Sequence, residues 1–139
     1  MSNSFYITTP IYYVNDIPHI GHAYTTILAD VLSRYQKQVG NRPFFLTGLD
    51  EHGQKVQDAA KDRGIKTQDH CDEMSKRFIS LWERLHISND DFIRTTEIRH
   101  KNVVREILKT VFDVGDIYED EYQGLYSVSE ERFITEKEA

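Results

Sequence analysis

The stretch that decides the fold is residues 5–22, which read Phe-Tyr-Ile-Thr-Thr-Pro-Ile-Tyr-Tyr-Val-Asn-Asp-Ile-Pro-His-Ile-Gly-His. Its first five residues are aromatic or β-branched and are followed by Pro10, which predicts a strand that ends there. The last four residues, from His19, open a long helical pattern. A strand, a turn and a helix N-terminus place free N–H groups and the positive end of the helix dipole where an anion can bind. We therefore predict a phosphate site at His19-Ile20-Gly21-His22.

The two histidines of this motif add side-chain hydrogen-bond donors to the backbone groups, and Gly21 leaves space for a ligand close to the backbone. Two other interpretations stay open at this point. The histidines can be partly exposed residues without a role, or they can face one metal ion. The metal is disfavoured because no cysteine lies nearby and no Glu separates the histidines, as it does in zinc proteases.

The rest of the chain alternates predicted strands and helices. The predicted elements are a helix from Ala23 to Val39 ended by Gly40, a strand Phe44–Thr47 closed by Gly48, helices from Gly53 to Arg63 and from Thr67, a strand Asp91–Arg94, and a helix with Thr96 as N-cap that stops at Gly115. This order predicts an α/β fold with a parallel sheet and helical crossovers. Ligands of such sheets bind at the carboxyl ends of the strands, so the loops after the first two predicted strands face one crevice.

The second of these loops carries Asp50-Glu51-His52. A carboxylate at the carboxyl end of a strand is well placed to pair with an ammonium group. The alternative is a helix cap, in which Asp50 or Glu51 accepts N–H groups of the next helix. The histidine loop across the same crevice favours a ligand site.

Composition restricts the class of protein. The 139 residues are 39% apolar and 29% charged, which is typical of a globular domain. No apolar run approaches the roughly 20 residues that span a bilayer, and the first residues lack a secretion signal. The single cysteine, Cys71, excludes an internal disulfide and a cysteine-based metal cluster. We expect a cytoplasmic protein that does not bind membranes.

The net charge of −6 is confined to the end of the chain. Residues 1–115 carry 15 acidic and 15 basic side chains, whereas residues 116–139 carry 8 acidic and 2 basic ones. The chain therefore has no broad basic surface for nucleic acid. We predict one domain over 1–115 and the start of a β-containing insertion over 116–139, with short strands at Ile117-Tyr118 and Gly124–Val128.

Two stretches resemble methionyl-tRNA synthetases. Residues 5–24 resemble the first signature of that family, and Phe-Phe-Leu-Thr-Gly-Leu-Asp-Glu-His-Gly-Gln-Lys, residues 44–55, resembles its next block. His-Ile-Gly-His alone is typical of class I aminoacyl-tRNA synthetases and related nucleotidyltransferases in general. The resemblance is narrowed to the methionine enzymes by the flanking Thr-Thr-Pro-Ile-Tyr-Tyr-Val-Asn and by Thr-Gly-Leu-Asp-Glu-His-Gly. It extends through residues 124–136.

The resemblance implies the N-terminal half of a Rossmann-like catalytic domain that runs into a connective insertion. The implied reaction forms methionyl-adenylate from methionine and Mg-ATP, and then transfers the methionyl group to tRNA(Met). The implied roles are ATP phosphate contacts and catalysis by His19 and His22 beside Gly21, binding of the methionine ammonium by Asp50, and a methionine pocket shaped by Pro10, Ile11 and Tyr13, with His52 and Gln54 close by. Such a site positions its substrates and stabilises charge on phosphorus, so no enzyme nucleophile is needed.

Two departures from the family pattern matter. Many relatives carry a zinc knuckle with Cys-x-x-Cys in the insertion, but Ser127 and Glu130 stand at those positions here. Neither can form a zinc–thiolate bond, so no zinc is expected. The Lys-Met-Ser-Lys-Ser loop, the second half of the nucleotide fold and the anticodon-binding helices are missing, and tRNA would be bound through such regions. We therefore expect an N-terminal fragment that is inactive alone.

Two alternative functions stay open. The chain could be a stand-alone nucleotide-binding module without catalysis, or part of a class I synthetase for another aliphatic amino acid such as leucine or valine.

Overall fold

The computed structural model describes residues 3–138. Along the chain the elements are β1 (Ser4–Thr8), β2 (Tyr12–Tyr13), α1 (Ile20–Gln38), β3 (Arg42–Asp50), α2 (Gln54–Asp62), α3 (Thr67–Arg84), β4 (Asp91–Arg94), α4 (Ile98–Asp113), β5 (Leu125–Ser127) and β6 (Arg132–Ile134). The predicted α/β order is confirmed, and β4 has the predicted bounds. The short strand β2, inside the predicted loop, is an addition.

The main sheet is built around β3, which pairs in parallel with β1, β2 and β4. Leu46 is opposite both Thr8 and Asp91, and Leu49 is opposite both Tyr12 and Arg94, so β1 and β2 share one edge of β3 and β4 takes the other. From Thr8 to Tyr12 the chain advances four residues while β3 advances three. The extra residue interrupts the ladder between β1 and β2 as a bulge at residues 10–11, after Thr9, whose N–H still donates to the Leu46 carbonyl at 3.2 Å.

Gly48 lies inside β3, so the prediction that the strand closes there is wrong. Its register partner is Ile93 on β4. A Cβ at Gly48 would lie 2.1 Å from the backbone oxygen of Ile93, which no side chain can tolerate. The glycine therefore permits a close approach of two strands, and β3 continues to Asp50.

The hydrophobic core lies between the sheet and α3. Its buried members come from β2 and the residue after it, from β3, and from α2 and α3: Tyr12, Val14, Leu49, Val56, Cys71, Met74, Phe78 and Trp82. In the first loop buried and exposed side chains alternate, because Tyr12 and Val14 point inward while Ile11 and Tyr13 remain accessible. The loop that carries the histidine motif is thus anchored by the core.

Helix α1 buries a polar face instead of its apolar one. Thr26, Ala29, Asp30 and Ser33 are buried, whereas the apolar positions that predicted the helix are exposed: Tyr24, Ile27, Leu28, Val31, Leu32, Tyr35 and Val39. Burial alone would raise the pKa of Asp30, but hydrogen bonds from Arg34 and Ser88 outweigh it and lower that pKa. The spacing therefore predicts the helix correctly but does not identify its buried face.

Two further expectations differ from the structure. The Thr96 hydroxyl does not cap α4, because it donates to the Glu51 carboxylate two residues before the helix begins. Residues 117–118 form no strand. The hairpin is instead β5 with β6, which are antiparallel.

By internal contacts the chain divides into a unit up to Lys101 and a second unit from Asn102, with the division inside α4. No helix within residues 3–138 is long and apolar enough to cross a membrane.

Candidate active site

The histidine motif forms a local cap on α1. His19 is the N-cap residue, and its Nδ1 accepts the Gly21 N–H at 3.1 Å. His22, three residues later, accepts the His19 N–H on its own Nδ1, also at 3.1 Å. This is the reciprocal arrangement of a capping box, with imidazoles in place of the usual Ser and Glu. The two rings stack with their centroids 3.8 Å apart.

The cap fixes which ring nitrogens carry protons. Since both Nδ1 atoms accept hydrogen bonds, each neutral ring holds its proton on Nε2. No described residue hydrogen-bonds to either Nε2. Burial, and secondarily the charge of His19, lowers the pKa of His22, which favours its neutral form. Each ring therefore keeps an Nε2–H donor beside the N-terminus of α1, an arrangement suited to an anion.

The packing of the His19 ring explains why a glycine stands at position 21 of this cap. A Cβ at Gly21 would lie 3.0 Å from Cε1 and 3.1 Å from Nδ1 of His19, tighter than almost all real Cβ contacts. The glycine thus makes room for the imidazole that caps the helix. That it also admits a nucleotide stays a prediction.

The second predicted site residue, Asp50, ends β3 and is half-buried. Its Oδ1 accepts the backbone N–H of His52 at 3.1 Å and the hydroxyl of Thr95 at 3.4 Å. The His52 side chain is exposed, yet its Nε2 hydrogen-bonds to the Thr95 carbonyl at 3.2 Å. Asp50 therefore does not cap α2, whose N-cap is Gly53 without a side-chain bond.

An ion-pair network that includes the buried Glu51 joins the end of β3 to β4 and α3. The Arg94 guanidinium donates to Glu51 Oε1 at 2.6 Å and to Asp72 on α3. The Glu51 side chain is completely buried. Burial alone would lower the pKa of Arg94, but the hydrogen bonds with Glu51 and Asp72 raise it, so the guanidinium stays charged. The network fixes the carboxyl ends of β3 and β4 relative to each other.

Strand β2 brings the two parts of the site together. The Tyr12 ring packs against His22 with centroids 4.7 Å apart, and its hydroxyl lies 2.9 Å from Thr26 Oγ1 on α1. The next residue, Tyr13, is opposite Asp50 in the sheet register. The histidine motif and the Asp50 block thus flank the same two-residue strand, as expected for loops at one end of a parallel sheet. Pro10, Ile11 and Tyr13 are exposed around it.

Three residues that support the site were not found from the sequence. Arg94 at the end of β4 and Thr95 just after it contact Glu51 and Asp50, and His70 supports the first loop from α3. The His70 Nδ1 accepts from Arg63, so its Nε2–H donates to the Val14 carbonyl at 2.6 Å. No local pattern marks these residues, because the partners that tie them to the site lie 43–56 positions away in the sequence.

Other reactive groups lie outside this site. Cys71 is buried, and burial raises its thiol pKa to about 11, so it is an unreactive core residue. Among residues 3–138 no group of three or more His, Cys, Asp or Glu side chains could hold a metal ion. A cavity of about 520 Å3 is lined by Ile17, Pro18 and the outer face of α3, and it includes neither histidine of the motif nor Asp50.

Comparison with known proteins gives consistent results. The family described as tRNA synthetases class I (M) matches residues 5–139. The methionine–tRNA ligase of Listeria monocytogenes is 54% identical over 134 residues, which is 96% of this chain and 20% of the relative. That of Rickettsia bellii is 54% identical over 99% of this chain and 27% of the relative. A structure of Mycobacterium tuberculosis methionyl-tRNA synthetase in complex with methionyl-adenylate matches with a TM-score of 0.92 and 43% identity, over 98% of this chain and 27% of that one. The chain thus spans about a fifth to a quarter of the length of these relatives.

Proposed function

This chain belongs to the class I tRNA synthetase family (M), and we propose that it supplies the phosphate-binding and amino-acid-binding corner of a methionine–tRNA ligase. The observation that carries this proposal is the arrangement of two complementary groups on either side of β2. The histidine pair offers N–H donors to an anion, and the Asp50 carboxylate offers acceptors to a cation. Methionine and ATP together require both groups.

In the proposed reaction the protein positions two substrates. The Asp50 carboxylate binds the α-ammonium of methionine, while His19, His22 and the N-terminus of α1 bind the phosphates of Mg-ATP. The methionine carboxylate then attacks the α-phosphorus, and the bond to pyrophosphate breaks. The two Nε2–H donors stabilise the negative charge that develops on the phosphate oxygens. The methionyl group subsequently passes to tRNA(Met).

The methionine side chain would lie against the bulge after β1. Ile11 and Tyr13 are 45% and 44% exposed, so both are available to an apolar ligand. Pro10 shapes this bulge, and His52, whose ring is held by the Thr95 carbonyl, would lie close to the ligand. An unbranched thioether suits such a surface of aliphatic and aromatic groups.

The remaining residues are assigned by the same proposal. We place the first domain over 1–115, and we propose that 116–139 begins a connective insertion without zinc. In its hairpin Ser127 Oγ accepts the Glu130 N–H at 3.3 Å and lies 3.2 Å from Ser129 Oγ, so hydrogen bonds within the protein close this turn. Contacts to tRNA would come from other regions, and the reaction would take place in the cytoplasm, where aminoacylated tRNA is used.

The test is amino-acid-dependent exchange of pyrophosphate with ATP by the complete gene product. We expect methionine to support exchange, and leucine and valine not to. Exchange driven by leucine or valine instead would assign the chain to another class I synthetase. Binding of ATP without exchange by any amino acid would favour a nucleotide-binding module.

The role of Asp50 has its own variant. Asp50→Ala removes the partner of the ammonium and should raise the methionine KM about tenfold or more, because a charge-assisted bond contributes roughly 1.5–3 kcal/mol. The control is Asp58→Ala, on the exposed side of α2. Equal methionine KM values in the two variants would remove Asp50 from the ammonium site.

A further inference from the structure

Thr95, just after β4, makes three of the hydrogen bonds that hold the Asp50 block. It is 5% exposed, so it lies behind the site rather than in it. We infer that Thr95 is a positioning residue, which orients the Asp50 carboxylate so that one oxygen is directed to the ammonium of the substrate. This inference rests on the proposed function of Asp50.

The position of Thr95 is fixed first by the backbone. Its N–H donates to the Leu49 carbonyl at 3.2 Å, which continues the pairing of β4 with β3 by one residue. The preceding residue, Arg94, is held by its ion pair with the buried Glu51. Thr95 therefore has little freedom to move relative to the end of β3.

The direction of the Thr95 hydroxyl follows from its partners. Oγ1 accepts the N–H of Glu51 at 2.9 Å. A backbone N–H can only donate, so the single hydroxyl proton is left for the Asp50 Oδ1 at 3.4 Å. The backbone carbonyl of Thr95 also accepts a hydrogen bond from His52 Nε2. Thr95 therefore holds both residues that follow Asp50, namely Glu51 and His52.

The two oxygens of Asp50 consequently differ. Oδ1 accepts hydrogen bonds from the His52 N–H and the Thr95 hydroxyl, whereas Oδ2 has no hydrogen-bond partner within residues 3–138. Rotation of the carboxylate would break both bonds to Oδ1. Thr95 thus keeps Oδ2 available as the acceptor for a primary ammonium.

The first test removes the hydroxyl while keeping the shape, with Thr95→Val in the complete gene product. We expect the methionine KM in pyrophosphate exchange to rise about threefold, as for loss of a long hydrogen bond of 3.4 Å, with an unchanged ATP KM. The conservative Thr95→Ser should restore the methionine KM to within twofold. A methionine KM that is unchanged in Thr95→Val, or an ATP KM that rises equally, would overturn the inference.

Thr95→Val also leaves the buried Glu51 N–H without an acceptor, which could impair folding. Thr95→Ala provides the second variant, since the space that it opens can hold a water bonded to that N–H. The same rise in methionine KM is expected. If Thr95→Ala folds and keeps the original KM, the inference is wrong.

A double-mutant cycle separates this inference from the proposal on which it rests. If Thr95 acts through Asp50, Thr95→Ala should raise the methionine KM far less in an Asp50→Ala background than in the unmodified protein. Equal effects in both backgrounds would refute the positioning role alone. An Asp50→Ala variant with an unchanged methionine KM would instead refute the ammonium site itself.

Discussion

The two corners of the site are built in opposite ways. In the histidine corner the hydrogen bonds join residues two or three apart, and most of the motif is exposed. In the carboxylate corner Asp50, Glu51 and His52 are bonded to residues of the β4 end that lie 43–45 positions further along the chain. The hydrogen bonds of the first corner need only the start of helix α1, whereas those from Thr95 and Arg94 at the second exist only when β3 and β4 are paired. Substitutions should therefore affect mainly chemistry at the first corner, and both stability and chemistry at the second.

The largest effect on stability is expected from Arg94→Met. This change removes the partner of Glu51, whose side chain is completely buried, and leaves an uncompensated charge. Breaking a buried pair in this way costs about 3 kcal/mol or more, a large fraction of the stability of a typical domain. Urea unfolding of the purified protein would measure the change in the free energy of unfolding.

Arg99→Met is the matched control for Arg94→Met. Arg99 pairs with Asp91 at 2.6 Å, but the two side chains are 48% and 33% exposed. Exposed pairs contribute only about 0–1 kcal/mol, so this variant should be nearly as stable as the unmodified protein. If the two variants lost the same stability, the distinction between a buried and an exposed network would fail.

At the histidine corner the larger effect is on rate. His19→Ala and His22→Ala each remove one Nε2–H donor from the proposed phosphate site. We expect each to slow adenylate formation about ten- to a hundredfold, from the roughly 1.5–3 kcal/mol of a charge-assisted donor. Stability should fall by only about 1 kcal/mol, the usual contribution of a cap. Single-turnover formation of methionyl-adenylate measures the rate.

A loss of stability as large as that of Arg94→Met, with no loss of rate, would contradict this assignment. The histidines would then be structural residues of α1, the interpretation without a functional role that the sequence left open.

Gly21→Ala separates the shape of the cap from the stability of the helix. Alanine is a better helix former than glycine, but its Cβ would meet the His19 ring at 3.0 Å and displace it. We expect a roughly tenfold loss in the rate of adenylate formation with little change in the free energy of unfolding. Combined with His19→Ala, the substitution should cost little more, since the displaced ring is already gone. A fully additive double variant would indicate that Gly21 instead contacts the nucleotide directly.

The same contrast explains what the sequence could predict. Strand β1, the histidine motif and helix α3 follow from local patterns, because a strand run before Pro10, a cap at His19 and apolar spacing from Thr67 depend on neighbouring residues. Asp50 was proposed as a site residue because it follows a predicted strand within a recognisable block. Thr95 and Arg94 could not be found, because nothing near them in the sequence indicates that they reach Glu51 and Asp50.

Errors in the sequence prediction have the same origin. Gly48 resembled the end of a strand, but its role is set by the backbone of Ile93 across the sheet. Thr96 has the residue type and position of a helix cap, yet a buried carboxylate competes for its hydroxyl. The face of α1 that is buried was also unpredictable, because burial of Asp30 depends on Ser88, 58 residues away. Local chemistry was read correctly in each case, and a distant partner determined the outcome.

The smallest expected effect distinguishes the two corners by pH. The usual pKa of a histidine is 6.5, and that of His22 is lowered in the folded protein by burial and by His19. The unfolded chain therefore binds this proton more readily than the folded protein does. The free energy of unfolding should therefore fall as the pH drops from 7 to 5, by no more than about 1 kcal/mol. At the carboxylate corner the hydrogen bond from Arg94 lowers the pKa of Asp72, whose usual value is 3.8. That stability is present at neutral pH and is lost only in strong acid.

His22→Gln keeps an N3 acceptor for the cap but does not titrate. In this variant the loss between pH 7 and 5 should shrink, while the loss below pH 4 persists. A pH dependence unchanged over the upper range would mean that the cap does not depend on a neutral His22.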